Sequence, residues 1–120
     1  MTKGQIESKI SEAISRFEIE QMGRGPEKIR TTIMQDLILI RLQGFLSNSE
    51  KNLAQNREGI DLIKKVRTAL FENARESLEA AVRSVIDVNV ISTYSDVSTK
   101  TGEKIIVIIA DSDIEEKLTR

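Results

Sequence analysis

The sequence predicts an α+β fold: two αββ units forming a four-stranded antiparallel sheet in the order 1-2-4-3, with helices packed on one face. Three observations lead there. Two stretches with apolar residues at helical spacing, 3–22 and 60–86, each come before a pair of short strand-like runs, in 28–44 and 88–110. The second run of each pair, 37–42 and 104–110, is apolar on both faces and suits the middle of a sheet, whereas the first is mixed and suits an edge. Finally, glycine or turn chemistry stands at the joints: Gly23, Gln35-Asp36, Gly44 and Gly102.

The first helix, 3–22, carries Ile6, Ile10, Ala13, Ile14 and Phe17 on one face, with Glu7, Lys9, Glu12, Arg16, Glu18 and Glu20 mostly elsewhere. Gly23 stands where a C-terminal cap wants a left-handed residue, and Pro26 stops the helix resuming. In the hairpin 28–44, Ile29, Thr31 and Ile33 alternate with Arg30, Thr32 and Met34, and Gln35-Asp36 forms the turn. Ser47 and Glu50 have capping-box spacing and open a short helix, 48–56. Gly59 interrupts.

A single long helix is expected over 60–86, since neither proline nor glycine breaks the face marked by Ile60, Ile63, Val66, Leu70, Phe71, Ala74, Leu78 and Val82. At about 40 Å it overhangs a seven-residue strand, so it bends or packs on another subunit. In the hairpin 88–110, Val88, Val90, Ser92 and Tyr94 alternate with Asn89, Ile91, Thr93 and Ser95, and a polar loop leads to the last strand. An acidic tail, 111–120, adds a helical turn or frays. One domain is expected to span 1–120.

Composition excludes much. The 120 residues contain no histidine and no cysteine, which removes thiol nucleophiles, Ser-His-Asp triads and structural zinc. No carboxylate run has the spacing of a calcium loop, and no metal or cofactor is expected. Eighteen basic and nineteen acidic residues are well mixed, and the aromatics are few, so no nucleic acid partner is expected. The longest apolar run, 105–110, is far too short to cross a bilayer, and the opening Met1-Thr2-Lys3-Gly4-Gln5 lacks the apolar core of a secretion signal. The expected location is cytoplasmic, without membrane insertion.

Two segments are candidate anion-binding sites. Gly23, Arg24 and Gly25, with Lys28 and Arg30, combine exposed backbone amides with a planar guanidinium. The same residues also suit a plain corner, with Arg24 paired to a carboxylate such as Glu20. Asp96, Ser98, Thr99, Lys100 and Thr101 put hydroxyl and charged groups on one loop, as an ordinary hairpin loop also does. No pair of carboxylates selects acid-base work, so no catalytic residue is named. Helices covering one sheet face leave Leu and Ile side chains of strands 2 and 4 on the other, a patch that suits a homodimer.

Three segments carry a family resemblance: Met22-Gly23-Arg24-Gly25-Pro26 leading to Ile29-Arg30, the run from Asp36 to Gly44, and the run from Ser95 to Glu103. Together with the linking helix they resemble the MpsC family of small bacterial proteins. The resemblance implies a setting, a sodium-translocating, membrane-potential-generating system, and no chemistry. For a chain without a spanning segment, the expected role is an accessory or regulatory protein, not an enzyme, acting by protein–protein interaction and held at the membrane through a protein partner. The alternative is a small-anion or nucleotide-binding regulatory module.

Overall fold

A computed structural model describes residues 1–118. The elements run α1 (Lys3–Met22), β1 (Lys28–Met34), β2 (Leu37–Gln43), α2 (Asn48–Leu53), α3 (Arg57–Asn73), α4 (Arg75–Arg83), β3 (Val90–Val97), β4 (Lys104–Ala110) and α5 (Ile114–Leu118). All four strands form one antiparallel sheet in the order β1-β2-β4-β3, as the apolar character of β2 and β4 predicts.

Helix α1 starts in a reciprocal capping box between Thr2 and Gln5, and ends at Gly23, whose φ of 86° lets its N–H reach the Ile19 carbonyl at 3.2 Å. The β1–β2 turn places Gln35 at φ 56°, an unusual angle for a side-chain-bearing residue. Helix α5 holds it there: Glu115 Oε1 accepts from the Gln35 N–H at 2.6 Å, and the Ile114 N–H donates to the Gln35 carbonyl at 2.8 Å.

Two helices stand where the apolar periodicity predicts one. The chain bends at Ala74 (φ −101°, ψ 6°), a buried residue with no helix-breaking chemistry. The bend lets α3 run beside β3 while α4 packs on α1. Gly59, expected to interrupt, lies inside the first turn of α3, its N–H bonded to the Asn56 side chain at 2.8 Å. Its role is close approach: a Cβ there would sit 1.6 Å from the Leu53 carbonyl oxygen.

Strand β3 also departs from simple alternation. The register slips between Val90 and Ser92, so Ile91 bulges outward and the phase reverses beyond it. Thr93, Ser95 and Val97 therefore pair with Ile108, Ile106 and Lys104 on the core face, while Ser92 and Tyr94 turn away from it. The strand runs on to Val97, because Asp96 and Val97 still pair with β4 and Val97 is buried.

The main core gathers Ile6, Ile10, Ile14 and Phe17 of α1 with Phe71, Leu78 and Val82 above the inner faces of β1, β2 and β4. A second cluster, Phe45, Leu46, Ile63 and Val97, lies under α3. Both sheet edges carry side-chain partners: Glu7 accepts from the Ile33 N–H at 2.8 Å, and Arg75 Nη1 donates to the Thr93 carbonyl at 2.9 Å.

Candidate functional site

The corner and the β3–β4 loop, singled out by sequence, lie at one end of the sheet and meet the end of β2 separately. Arg24 Nη2 donates to the Gly44 carbonyl at 3.3 Å, so the corner arginine ties to backbone, not to Glu20. The next residue, Phe45, donates its N–H to the Gly102 carbonyl at 3.2 Å. Lys28 and Arg30 are exposed on the outer face of β1, with Arg41 of β2 beside them. Within the loop, Ser98 Oγ accepts from the Thr101 N–H and Thr101 Oγ1 from the Glu103 N–H, each at 3.3 Å. These two hydroxyls hold the hairpin itself, and Thr99 and Lys100 form its tip. Asp96 belongs to a different place, 3.5 Å from Lys64 of α3.

That place is built around a buried ion pair that sequence reading did not find. Lys104 Nζ donates to Glu18 Oε1 at 2.8 Å, with the two side chains 2% and 0% exposed. Glu18 falls on the buried face of α1 because it continues the four-residue spacing of Ile6, Ile10 and Ile14. Lys104 faces inward because it occupies the same phase of β4 as Ile106, Ile108 and Ala110. The ammonium lies 4.8 Å from the Phe45 ring centre and 5.6 Å from that of Phe71. Burial pushes the Lys104 ammonium below the ordinary lysine range, against the opposing pull of Glu18. Glu18 Oε2 is buried without a hydrogen bond.

A second pair lies above the first. Arg67 stacks 4.1 Å from the centre of the Phe45 ring, which Lys104 also contacts, and its Nε and Nη2 bond Glu50 at 2.6–2.9 Å. Glu50 is the third helical residue of the capping box that Ser47 opens in α2, so one carboxylate serves both the helix start and the arginine. Burial opposes its ionisation, but the bonds from Arg67 and Ser47 outweigh that and hold its pKa below the ordinary glutamate value. By residue type Arg67 belongs with Lys64 and Lys65 on a solvated helix face. The spacing Ile63, Arg67, Phe71 instead turns it inward, and its side chain is 10% exposed.

Between α3 and β3 these groups leave a cavity of about 180 Å³. Lys104 and Arg67 line it together with Thr68, Thr93, Ser95 and Asp96, and Lys64, Glu72, Tyr94 and Arg75 also border it. Arg75 is fixed by Glu72 at 2.7–2.8 Å and by the hydroxyl of Thr93. Among the described residues no cluster of three or more metal-binding side chains is placed to hold an ion.

The outer face of the sheet is a second candidate surface. Strand register puts Thr32, Leu39, Val107 and Tyr94 in one row and Met34, Leu37, Ile109 and Ser92 in the next. A third row reads Arg30, Arg41, Ile105 and Asp96. Leu37, Leu39, Ile105, Val107 and Ile109 are half-buried by one another and belong to neither core cluster. Tyr94 and Met34 are 59% and 45% exposed.

Comparison with known proteins places the chain. It is 34% identical over 119 residues to a Bacillus subtilis protein described as "Uncharacterized protein YbcI", covering 99% of this chain and 96% of that one. A second B. subtilis protein, "Uncharacterized protein YrhF", is 24% identical over 109 residues, covering 90% and 89% respectively. No solved structure gives a significant match. A family model described as "Na+-translocating membrane potential-generating system (MpsC)" matches residues 2–112, and the chain belongs to the MpsC family.

Proposed function

We propose that this protein is an accessory component of a Na+-translocating, membrane-potential-generating system, acting by protein–protein contact through the open face of its sheet. The family description supplies the setting. Among the described residues no helix is long and apolar enough to cross a membrane, so the role suggested is contact with other chains rather than conduction through helices of its own.

The observation that carries the reading is the uncovered apolar face, and its charge pattern favours a second copy as the occupant. A two-fold axis parallel to the strands lays β1 of one copy over β3 of the other and keeps the rows in register. Apolar Leu39 then faces Val107, Leu37 faces Ile109, and Arg30 faces Asp96. The two apolar rows and the Arg30–Asp96 pair are self-complementary, while Arg41 falls opposite Ile105 and keeps its own partner, Glu103. Strand spacings give a flat footprint of about 19 by 23 Å, at the small end of specific interfaces, so the dimer is expected to dissociate on dilution.

Light scattering across a concentration series tests the dimer, with Val107→Glu expected to give monomer at every concentration. The chain has no native cysteine, so a Thr32→Cys, Tyr94→Cys double variant is expected to be joined into a covalent dimer by a short bis-maleimide that spans the roughly 10 Å between stacked sheets. A parent that stays monomeric when concentrated overturns this occupant. The system-level role is read separately, as the sodium-dependent membrane potential of a deletion strain complemented with parent or Val107→Glu. An unchanged potential after deletion overturns that part.

A further inference from the structure

We propose that the cavity between α3 and β3 is a binding site for a small oxyanion of phosphate size, held by Lys104 and Arg67. This goes beyond the docking role: the cavity borders the open face at Tyr94 and Asp96, but the two cations that carry the proposal belong to α3 and to the core side of β4. Two cations lie at the site with donor capacity to spare. Arg67 commits Nε and Nη2 to Glu50 and has no hydrogen bond from Nη1. Lys104 has three ammonium protons and one hydrogen bond, to Glu18. Both side chains are at least nine-tenths buried, at 10% and 2% exposure, yet both line the cavity.

Their carboxylate partners are not in the cavity wall. Glu18 and Glu50 fix the two cations from outside the lining. Each of the four cations of the wall has one carboxylate partner, Lys64 with Asp96, Arg67 with Glu50, Arg75 with Glu72 and Lys104 with Glu18, so the pull on an anion comes from the unused N–H donors of Arg67 and Lys104 rather than from a net charge. Hydroxyls of Thr68 and Ser95 add neutral partners for oxygen atoms. An ammonium and guanidiniums repel metal ions; Phe71 and Val97 also line the cavity, so the selection against an apolar guest rests on the cost of covering two buried cations with nothing to bond their free N–H groups. Size selects further: about 180 Å³ is below the range of roughly 300–1,000 Å³ typical of drug-sized ligands, which favours a single oxyanion group over a nucleotide. Phosphate and sulfate share the required chemistry, and a short carboxylate offers fewer oxygens. Binding such an anion also favours the charged form of an ammonium that burial disfavours.

Tyr94 borders the cavity and is the chain's single tyrosine, and there is no tryptophan, so its fluorescence reports this site in the Val107→Glu background, where no second copy covers the ring. The experiment titrates the protein with inorganic phosphate, sulfate or acetate, with chloride as the ionic-strength control, at one fixed protein concentration. A saturable change with phosphate or sulfate, absent with chloride, is expected. Thr68→Val and Ser95→Ala leave both ion pairs in place and are each expected to weaken binding about tenfold, the scale of one hydrogen bond to a charged group. A Lys28→Gln variant, whose residue lies away from the cavity, is expected to bind like the parent. A response that only follows ionic strength overturns the proposal, as does undiminished binding in both hydroxyl variants. Selective loss in Lys28→Gln instead moves the anion to the outer face of β1 and also overturns it.

Discussion

Replacing Lys104 by methionine shortens the side chain by one atom and removes its charge and its hydrogen-bond donors, leaving the Glu18 carboxylate buried with neither oxygen bonded. The cost of breaking a buried pair from one side is about 3–5 kcal/mol, because the desolvation of the remaining ion is no longer offset. An unfolding entropy of about 2.1 cal/mol/K per residue gives roughly 0.25 kcal/mol/K for 120 residues, so Tm is expected to fall by about 12–20 °C. Adding Glu18→Met removes the stranded charge and restores an apolar contact with Phe45 and Phe71. That double variant is expected to recover most of the loss or exceed the parent, since apolar replacements of buried ion pairs are neutral or stabilising by about 1–4 kcal/mol. Thermal and urea unfolding of the parent, both single variants and the double variant, followed by far-UV circular dichroism, close a double-mutant cycle. A Lys104→Met loss under about 1 kcal/mol refutes the reasoning, as does a double variant no more stable than Lys104→Met.

Gly59→Ala is expected to cost at least about 3 kcal/mol in urea unfolding, because a Cβ 1.6 Å from the Leu53 carbonyl oxygen forces the α2–α3 junction apart. The Glu50–Arg67 pair gives a pH dependence: Glu50 has a lowered folded pKa, so its contribution is complete above its ordinary value of 4.5 and disappears as pH falls through the lowered one. Parent and Glu50→Gln are therefore expected to differ by about 1–3 kcal/mol at neutral pH and to converge in acid, as followed by urea unfolding across pH. Ser47→Ala, which removes the side-chain acceptor for the Glu50 N–H, is expected to cost about 1 kcal/mol by the same measurement.

The sheet order was readable because burial leaves a direct trace in strand composition: a strand covered by neighbours on both sides, such as β4, is apolar at nearly every position. The Gly23 cap and the Ser47–Glu50 box were equally legible, since each is a local bargain between a backbone group and a residue a few positions away. The break at Ala74 was not, because alanine is a good helix former and the bend follows from tertiary contacts of Phe71 and Arg75. The same holds for the bulge at Ile91. The buried charges had a signal that residue type concealed: Glu18, Arg67 and Lys104 each occupy the apolar phase of their element. Periodicity placed them inside, while hydrophilicity argued for the surface. Pairing across 86 residues, from Glu18 to Lys104, resolves that conflict, and one sequence does not display such a partner.

The two surfaces meet at β3. Tyr94 and Asp96 stand in the outward rows that would face a second copy in the proposed dimer, and both also border the α3–β3 cavity. Any anion that repositions them acts on the dimer, and linkage then requires the dimer to change anion affinity by the same factor. Lys64 sharpens the expectation, because it pairs with Asp96 at 3.5 Å and in the proposed dimer would compete with Arg30 of the second copy for the same carboxylate. An oxyanion that draws Lys64 into the cavity frees Asp96 for Arg30 and is expected to tighten the dimer. Sedimentation of the parent with and without saturating phosphate measures the factor, and the phosphate titration of the parent set against that of Val107→Glu measures its reciprocal. Equal factors greater than one establish the coupling. A factor of one in both shows that the cavity and the sheet face work independently.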